Sequence, residues 1–229
     1  MFNNDELIMG AYQLYHEKRN TEIEDRALNT LNNFHEAVNK WNPDINNLGG
    51  LRFYLNYLVG NEMEAISSSG VALAKHDNLR LIMKKKSTAL KVSELFSIRK
   101  NNMMNEGITG KIADVKIIYH VLNHPESVGN KPNIYIQRFL LSIFVEIMTT
   151  IADDKQLRNT AKLLGKNPKG VSFERLQVQV RSTVEDSLKR LKVGDELSKF
   201  SRAAIAYYIV EASKNNYHRL QAKKVINIE

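Results

Sequence analysis

Only four prolines interrupt the 229 residues, at Pro43, Pro125, Pro132 and Pro168, and each falls where a connection between elements is expected. Proline lacks a backbone donor and clashes with the preceding turn, so it marks where a helix cannot run on. The stretches between these prolines are long and carry apolar residues at helical spacing. The chain is therefore expected to be all-α, mainly helical with room for one small β-hairpin. The expected arrangement is two helical lobes with a basic cleft and terminal arms.

Local signals divide the chain further. A first helix is expected over Asn4 to Arg19. Thr21-x-x-Glu24 is a capping-box pattern that starts a second, on which Ile23, Ala27, Leu31, Phe34 and Val38 recur toward Trp41. Asn42-Pro43 and Gly49-Gly50 bracket a turn, and the aromatic-rich Leu51 to Val59 fits a helix or a strand, with a helix suiting its neighbours better. Ser67 to Gly70 and Asn101 to Gly110 resemble loops. Leu79 to Met83 and Leu90 to Ile98 alternate loosely, as a hairpin would. A helix opening at Thr109 or Gly110 places Ile112, Val115 and Tyr119 on one face.

His124-Pro125 through Lys131-Pro132 is the expected boundary between lobes. Pro132 suits the first turn of a long helix to Ala152, because its missing N–H has no partner there in any case. Asp153 and Ser172 are expected caps, Gly165 a left-handed stop, and Gly194 the end of the helix that starts after Ser172. A last long helix is expected from Asp195 to about Lys214. The resulting division is an N-terminal arm over 1–20, lobes over 21–124 and 125–215, and a C-terminal arm over 216–229.

Apolar residues make up 43% of the chain, enough for a substantial core, since a protein of this length hides about 70% of its unfolded surface. Cysteine is absent, which excludes disulfides, thiolate metal sites and a cysteine nucleophile. The acidic, polar start Met1-Phe2-Asn3-Asn4-Asp5-Glu6 is unlike a secretory signal, so a cytoplasmic location is expected. The apolar stretch from Ile134 to Ile151 contains Gln137, Arg138 and Glu146, which favours a buried helix over membrane insertion.

Charge is unevenly spread. The net charge is +8, yet residues 1–70 hold 5 basic against 10 acidic side chains, a balance of −5. The remaining 28 basic and 15 acidic side chains give +13 after residue 70. A regional basic excess is the usual footprint of a polyanion site, although solvated lysine faces produce the same number.

Catalytic templates fail. Gly107-Ile108-Thr109-Gly110-Lys111 has the wrong spacing for a phosphate loop and no strong strand before it. His120 and His124 are four apart, but Pro125 biases His124 away from helical geometry and no Glu lies between them to act as a base. Asp153-Asp154 suit a cap and a first-turn charge. No enzyme is expected, and no catalytic residue, metal site or cofactor is assigned.

The basic residues carry more. Arg80, Lys84, Lys85, Lys86 and Lys91 lie close together, followed by Arg99-Lys100 and then Lys111 and Lys116. Lys166 and Lys169 flank a loop ahead of Arg175 and Arg181. Several cations spaced along a groove displace counterions from a phosphate backbone, which gives binding without sequence preference. Arginine grips phosphate bidentately and stacks on bases. Arg138 interrupts an apolar helix, where it either lines a groove or meets Glu146 or another anion. Phe53, Tyr54 and Tyr57, and Tyr207-Tyr208, are candidate stacking aromatics, although core packing is their commoner use.

Leu197-Ser198-Lys199-Phe200-Ser201-Arg202-Ala203-Ala204-Ile205-Ala206-Tyr207-Tyr208-Ile209-Val210-Glu211-Ala212-Ser213 resembles a segment of the C-terminal core of potyvirus-type filamentous coat proteins. The helix that starts at Pro132 and carries Arg138 is similar to that family's arginine-bearing helix. Size, basicity and helical layout also resemble the nucleoproteins of segmented negative-strand RNA viruses. The resemblance implies a viral nucleocapsid protein that holds single-stranded RNA in a basic cleft and joins its neighbours through arms, as a homo-oligomer in a ribonucleoprotein or virion. Two other readings remain beside it. One is a helical DNA-binding or regulatory protein with Arg175, Gln177 and Arg181 on a recognition helix. The other is a helical protein-interaction scaffold.

Overall fold

A computed structural model of the chain describes residues 3–40, 81–102, 107–129 and 133–214. Arg80, Phe53, Tyr54, Tyr57, the Asn42–Gly50 turn, the Ser67–Gly70 loop, Pro132 and the arm over 216–229 lie outside the described residues. The described elements are helical: α1 (Asn4–Lys18), α2 (Thr21–Lys40), α3 (Lys86–Asn102), α4 (Ile108–Val115), α5 (Ile117–Leu122), α6 (Asn133–Ile143), α7 (Asp154–Leu163), α8 (Phe173–Arg190), α9 (Lys199–Ile205) and α10 (Ile209–Lys214). Short 3-10 turns cover Pro125–Ser127 and Ala206–Tyr208.

The all-α expectation holds, and the hairpin does not. Residues 81–83 are helical and Leu90–Ile98 lies inside α3. The apolar positions of α3 that are buried, Ala89, Val92, Leu95 and Phe96, follow helical spacing. Leu90, which suggested alternation, is exposed.

The chain divides into two units, one of residues 22–144 and one joining 1–21 to 145–229. The boundary therefore falls after Phe144, not at the His124–Pro132 connector. In the 22–144 unit, α2, α3 and α6 each contribute a phenylalanine to one cluster. Phe34, Phe96 and Phe139 have ring centroids 6.3 Å apart pairwise, in tilted and edge-on contacts. The His35 Nε2 lies 2.7 Å from the Ser142 carbonyl, so a buried imidazole also ties α2 to α6.

In the other unit, α1 is an integral helix rather than a free arm. Leu7, Ile8, Ala11, Leu14 and Tyr15 are buried, with α8 and α10 packed against α1. Its polar side is tethered as well. Arg190 grips Asp5 with two hydrogen bonds of 2.7 and 3.1 Å, and the Tyr12 hydroxyl donates to Glu196 at 2.9 Å. Lys18 pairs with Glu211.

The long helix expected to reach Ala152 stops at Ile143, and the chain turns through 144–147. Ile147, Thr149, Thr150 and Ile151 are β-branched and favour this departure. The freed backbone groups find side-chain partners within the second unit. Gln177 Oε1 accepts from the Thr149 amide at 3.1 Å, and its Nε2 donates to the Ile151 carbonyl at 2.6 Å. The last long helix is also broken: Ser198 caps α9, and a 3-10 turn separates α9 from α10. Asp153, Ser172 and Gly165 behave as the sequence predicts. Among the described residues, no helix is long and apolar enough to cross a membrane.

Candidate nucleic-acid interface

In the 22–144 unit, the first described residues of the candidate basic surface are the run Lys84-Lys85-Lys86. Ile82 and Met83 are buried just before it, and the chain then turns into α3. The turn is closed by Lys85 N to Ile82 O at 3.0 Å and by Thr88 N to Lys85 O at 3.0 Å. All three lysines are exposed. Lys85 Nζ pairs with Glu126 at 2.7 Å, and that hydrogen bond holds the Glu126 carboxyl below its usual range. His124 Nδ1 faces the other oxygen of Glu126. Lys84 and Lys86 have no carboxylate partner among the described residues.

Three candidates of this unit have other employment. Lys91 Nζ donates to the Val115 carbonyl at 2.8 Å and so closes the C-terminal end of α4. Arg99 is buried and its Nη1 donates to the Ile143 carbonyl at the end of α6. Arg138 is 3% exposed, with its guanidinium 5.8 Å from the Tyr135 ring centroid. Arg99 and Arg138 are therefore interior residues and leave the candidate surface. Lys100 is exposed on the last turn of α3.

His120 and His124 pack edge to face with ring centroids 5.9 Å apart. His120 Nε2 lies 2.8 Å from the Thr88 hydroxyl, which fastens α5 to α3. Burial, then the nearby charges of Lys91 and His124, pushes the His120 pKa down. No group of three or more His, Asp or Glu among the described residues is placed to hold a metal.

In the other unit the basic loop is built from both sides. Gly165 and Gly170 both have φ of 73°, in the left-handed region that glycine takes without strain. Asn167 Oδ1 accepts from the Lys169 amide at 3.1 Å, an Asx turn inside the loop. Arg158 spans the loop: its Nη1 donates to Pro168 O at 2.7 Å and its Nη2 to Val171 O at 3.3 Å. Asp154 fixes that guanidinium through Nε at 2.8 Å. Lys166, Lys169 and Arg175 are exposed, and no carboxylate among the described residues pairs with them.

The chain matches no protein-family model, no curated protein and no solved structure.

Arg181 is the third arginine that the fold consumes. It is 4% exposed, binds Glu185 at 2.8 Å, and donates to the carbonyls of Met148 and Lys199 at 3.2 Å each. Burial lowers its pKa, and the carboxylate of Glu185 opposes that shift. Gln177 is fully buried on the same helix. Two of the three base-reading residues expected on a recognition helix are thus interior, and only Arg175 remains exposed. The aromatic pair of α10's approach is also packed: Tyr207 and Tyr208 stack edge to face at 5.5 Å, and Tyr208 meets Tyr15 at 6.2 Å.

Two residues have roles that the sequence does not announce. Arg158 is one arginine among many, and only the loop's free carbonyls reveal its use. Tyr119 was expected on the face of Ile112 and Val115. Lys116 instead takes φ 53° and ψ 36°, which ends α4 and starts α5 with a new phase. Ile117 and Val121 then turn inward, and Tyr119 is 68% exposed. A lysine between two short apolar runs is the available signal, and it is a weak one.

Proposed function

We propose that this protein binds single-stranded RNA non-specifically through the phosphate backbone and oligomerises along it, as a nucleoprotein or coat protein does. The observation that carries this reading is the display, from fixed backbone, of exposed cations that have no carboxylate partner among the described residues. Lys84 and Lys86 leave a hydrogen-bonded turn, and Lys166, Lys169 and Arg175 surround a loop that Arg158 holds. A backbone already fixed spares the loop-ordering part of the cost of binding phosphates. The balance of +13 after residue 70 supports the same partner.

Lysine-dominated contact is sequence-independent, because phosphates carry no base identity. With Arg99, Arg138 and Arg181 in the interior, the binding set reduces to Lys84, Lys85, Lys86, Lys100, Lys166, Lys169 and Arg175 among the described residues. Arg80 joins them on sequence grounds. Assembly along the strand uses the apolar segment Val225-Ile226-Asn227-Ile228 against a neighbouring copy.

The test is the absorbance spectrum and size-exclusion profile of protein purified from cells, before and after nuclease and a high-salt wash. Copurifying RNA in large assemblies that nuclease disperses is the expected result. A monomer that stays free of nucleic acid, and stays monomeric when long RNA is added, refutes the reading.

A further inference from the structure

We infer that Tyr119 is a base-stacking platform for single-stranded RNA on the 22–144 unit, an assignment that rests on the RNA-binding function proposed above. Four large apolar side chains stand out as exposed among the described residues: Leu81, Leu90, Tyr119 and Val128. Tyr119 is the aromatic one. A flat ring held in water supplies the π-face that stacking on any base requires.

The backbone is shaped to place it there. Lys116 and Lys192 are the non-glycine residues with left-handed φ among those described. This conformation costs a non-glycine residue about 1–2 kcal/mol. At Lys116 its consequence is the phase break between α4 and α5. Had α4 run on, Tyr119 would have continued the face of Ile112 and Val115, both of which are buried. Strain that moves an aromatic ring from core to solvent does not stabilise the fold, and such outliers concentrate at binding sites.

The surroundings fit a polyanion with bases better than an apolar partner. Lys116, Tyr119 and Asn123 lie at i, i+3 and i+7 and form the outward stripe of α5, with Lys116 and Asn123 as its two caps; all three are exposed. The stripe thus joins a cation for phosphate, a ring for a base and an amide. Lys116 has no carboxylate partner among the described residues. Asp114 is exposed in the last turn of α4 and is the nearest acidic residue in sequence. The support is rigid. Ile117 and Val121 are fully buried, His120 meets Thr88 at 2.8 Å, and Asn123 Nδ2 donates to the Tyr119 carbonyl at 2.8 Å. Lys85 reaches Glu126 just beyond α5, which brings the 84–86 turn to the same edge of the unit.

Binding of two fluorescent probes separates this assignment from the function it rests on. One probe is a short uridine oligomer, and the other has the same length with abasic ribose. The wild-type protein binds both, and the uridine oligomer more tightly. Tyr119→Ala lowers affinity for uridine by roughly 5- to 150-fold, the range expected for loss of one stacked base, and leaves the abasic oligomer unaffected. Tyr119→Trp restores the preference for bases. Replacing Lys84, Lys85 and Lys86 by Gln weakens both probes alike. If Tyr119→Ala binds uridine like the wild type, or loses affinity for both probes equally, the stacking assignment is wrong while RNA binding stands. A Tyr119→Ala variant that alters only self-association overturns the assignment in the same way. If the wild type binds neither probe at low salt, the RNA-binding function itself is wrong.

Discussion

Arg158 Nη1 donates a 2.7 Å hydrogen bond to Pro168 O, while its Nη2 reaches Val171 O at 3.3 Å. One guanidinium thus bridges the two sides of the loop that presents Lys166 and Lys169. Lysine cannot reproduce the bridge, because its single ammonium lacks the planar fork. Arg158→Lys and Arg158→Ala are expected to speed hydrogen exchange over residues 166–171. Either variant costs about 1–2 kcal/mol of stability, the size of a charged hydrogen bond. RNA affinity falls several-fold in both. Unchanged exchange in the loop would remove Arg158 from this role.

Arg181 has the opposite character. It satisfies the Met148 and Lys199 carbonyls and faces Glu185, all within one unit. Arg181→Ala leaves those groups without partners, and a loss of about 3 kcal/mol is expected. Urea unfolding reads this as a lower midpoint. RNA affinity of the folded protein stays at the wild-type value, in contrast with variants of the exposed lysines. A large affinity loss with unchanged stability would show that Arg181 reaches the ligand.

The fold class and several boundaries were legible because they depend on local chemistry. Asp153 and Ser172 accept from amides three residues on, and Gly165 ends α7 without strain, so each signal acts within one turn of chain. The interior arginines were not legible. Arg99 and Arg181 bind carbonyls freed where α6 ends and where the chain turns through 145–148, and a sequence does not show which carbonyls a fold will leave open. The hairpin expectation failed because Leu90, Val92 and Phe96 fit a period of two, whereas the helix buries Val92 and Phe96 at i and i+4 and leaves Leu90 exposed. Tyr119 was misplaced by assuming one continuous helix across Lys116.

The Lys84–Lys86 turn gives a prediction in which binding and stability part. The Lys85–Glu126 pair is largely solvated, with the lysine side chain 49% exposed, and surface pairs contribute about 0–1 kcal/mol. Replacing all three lysines by Gln is expected to leave the unfolding midpoint nearly unchanged. The same variant flattens the salt dependence of RNA binding by about 0.7 for each phosphate it no longer engages. A steep dependence that survives the substitution would place the phosphate-binding cations elsewhere.

Acid should destabilise the 22–144 unit through His120. Burial, with Lys91 and His124 nearby, depresses its pKa below 6.5 in the folded state. The unfolded chain therefore binds the proton more readily. This contribution is fully present above 6.5 and is lost as pH falls through that value toward the depressed one. His16 in the other unit is shifted the same way, by burial and then by Arg19, against the opposing pull of Glu196. Stability should decline between about pH 7 and pH 5, and His120→Asn should show a shallower decline. An identical pH profile for wild type and His120→Asn would refute the assignment.

The most direct test of the central claim is the affinity for single-stranded RNA as a function of salt. Fluorescence anisotropy would follow two oligomers of unrelated sequence and equal length. Binding is predicted at low salt with equal affinity for both sequences. The logarithm of the binding constant should fall linearly with the logarithm of salt, by about 0.7 for each phosphate engaged. Absence of binding at low salt, or binding that discriminates strongly between the two sequences and ignores salt, would contradict a protein that holds RNA by its backbone.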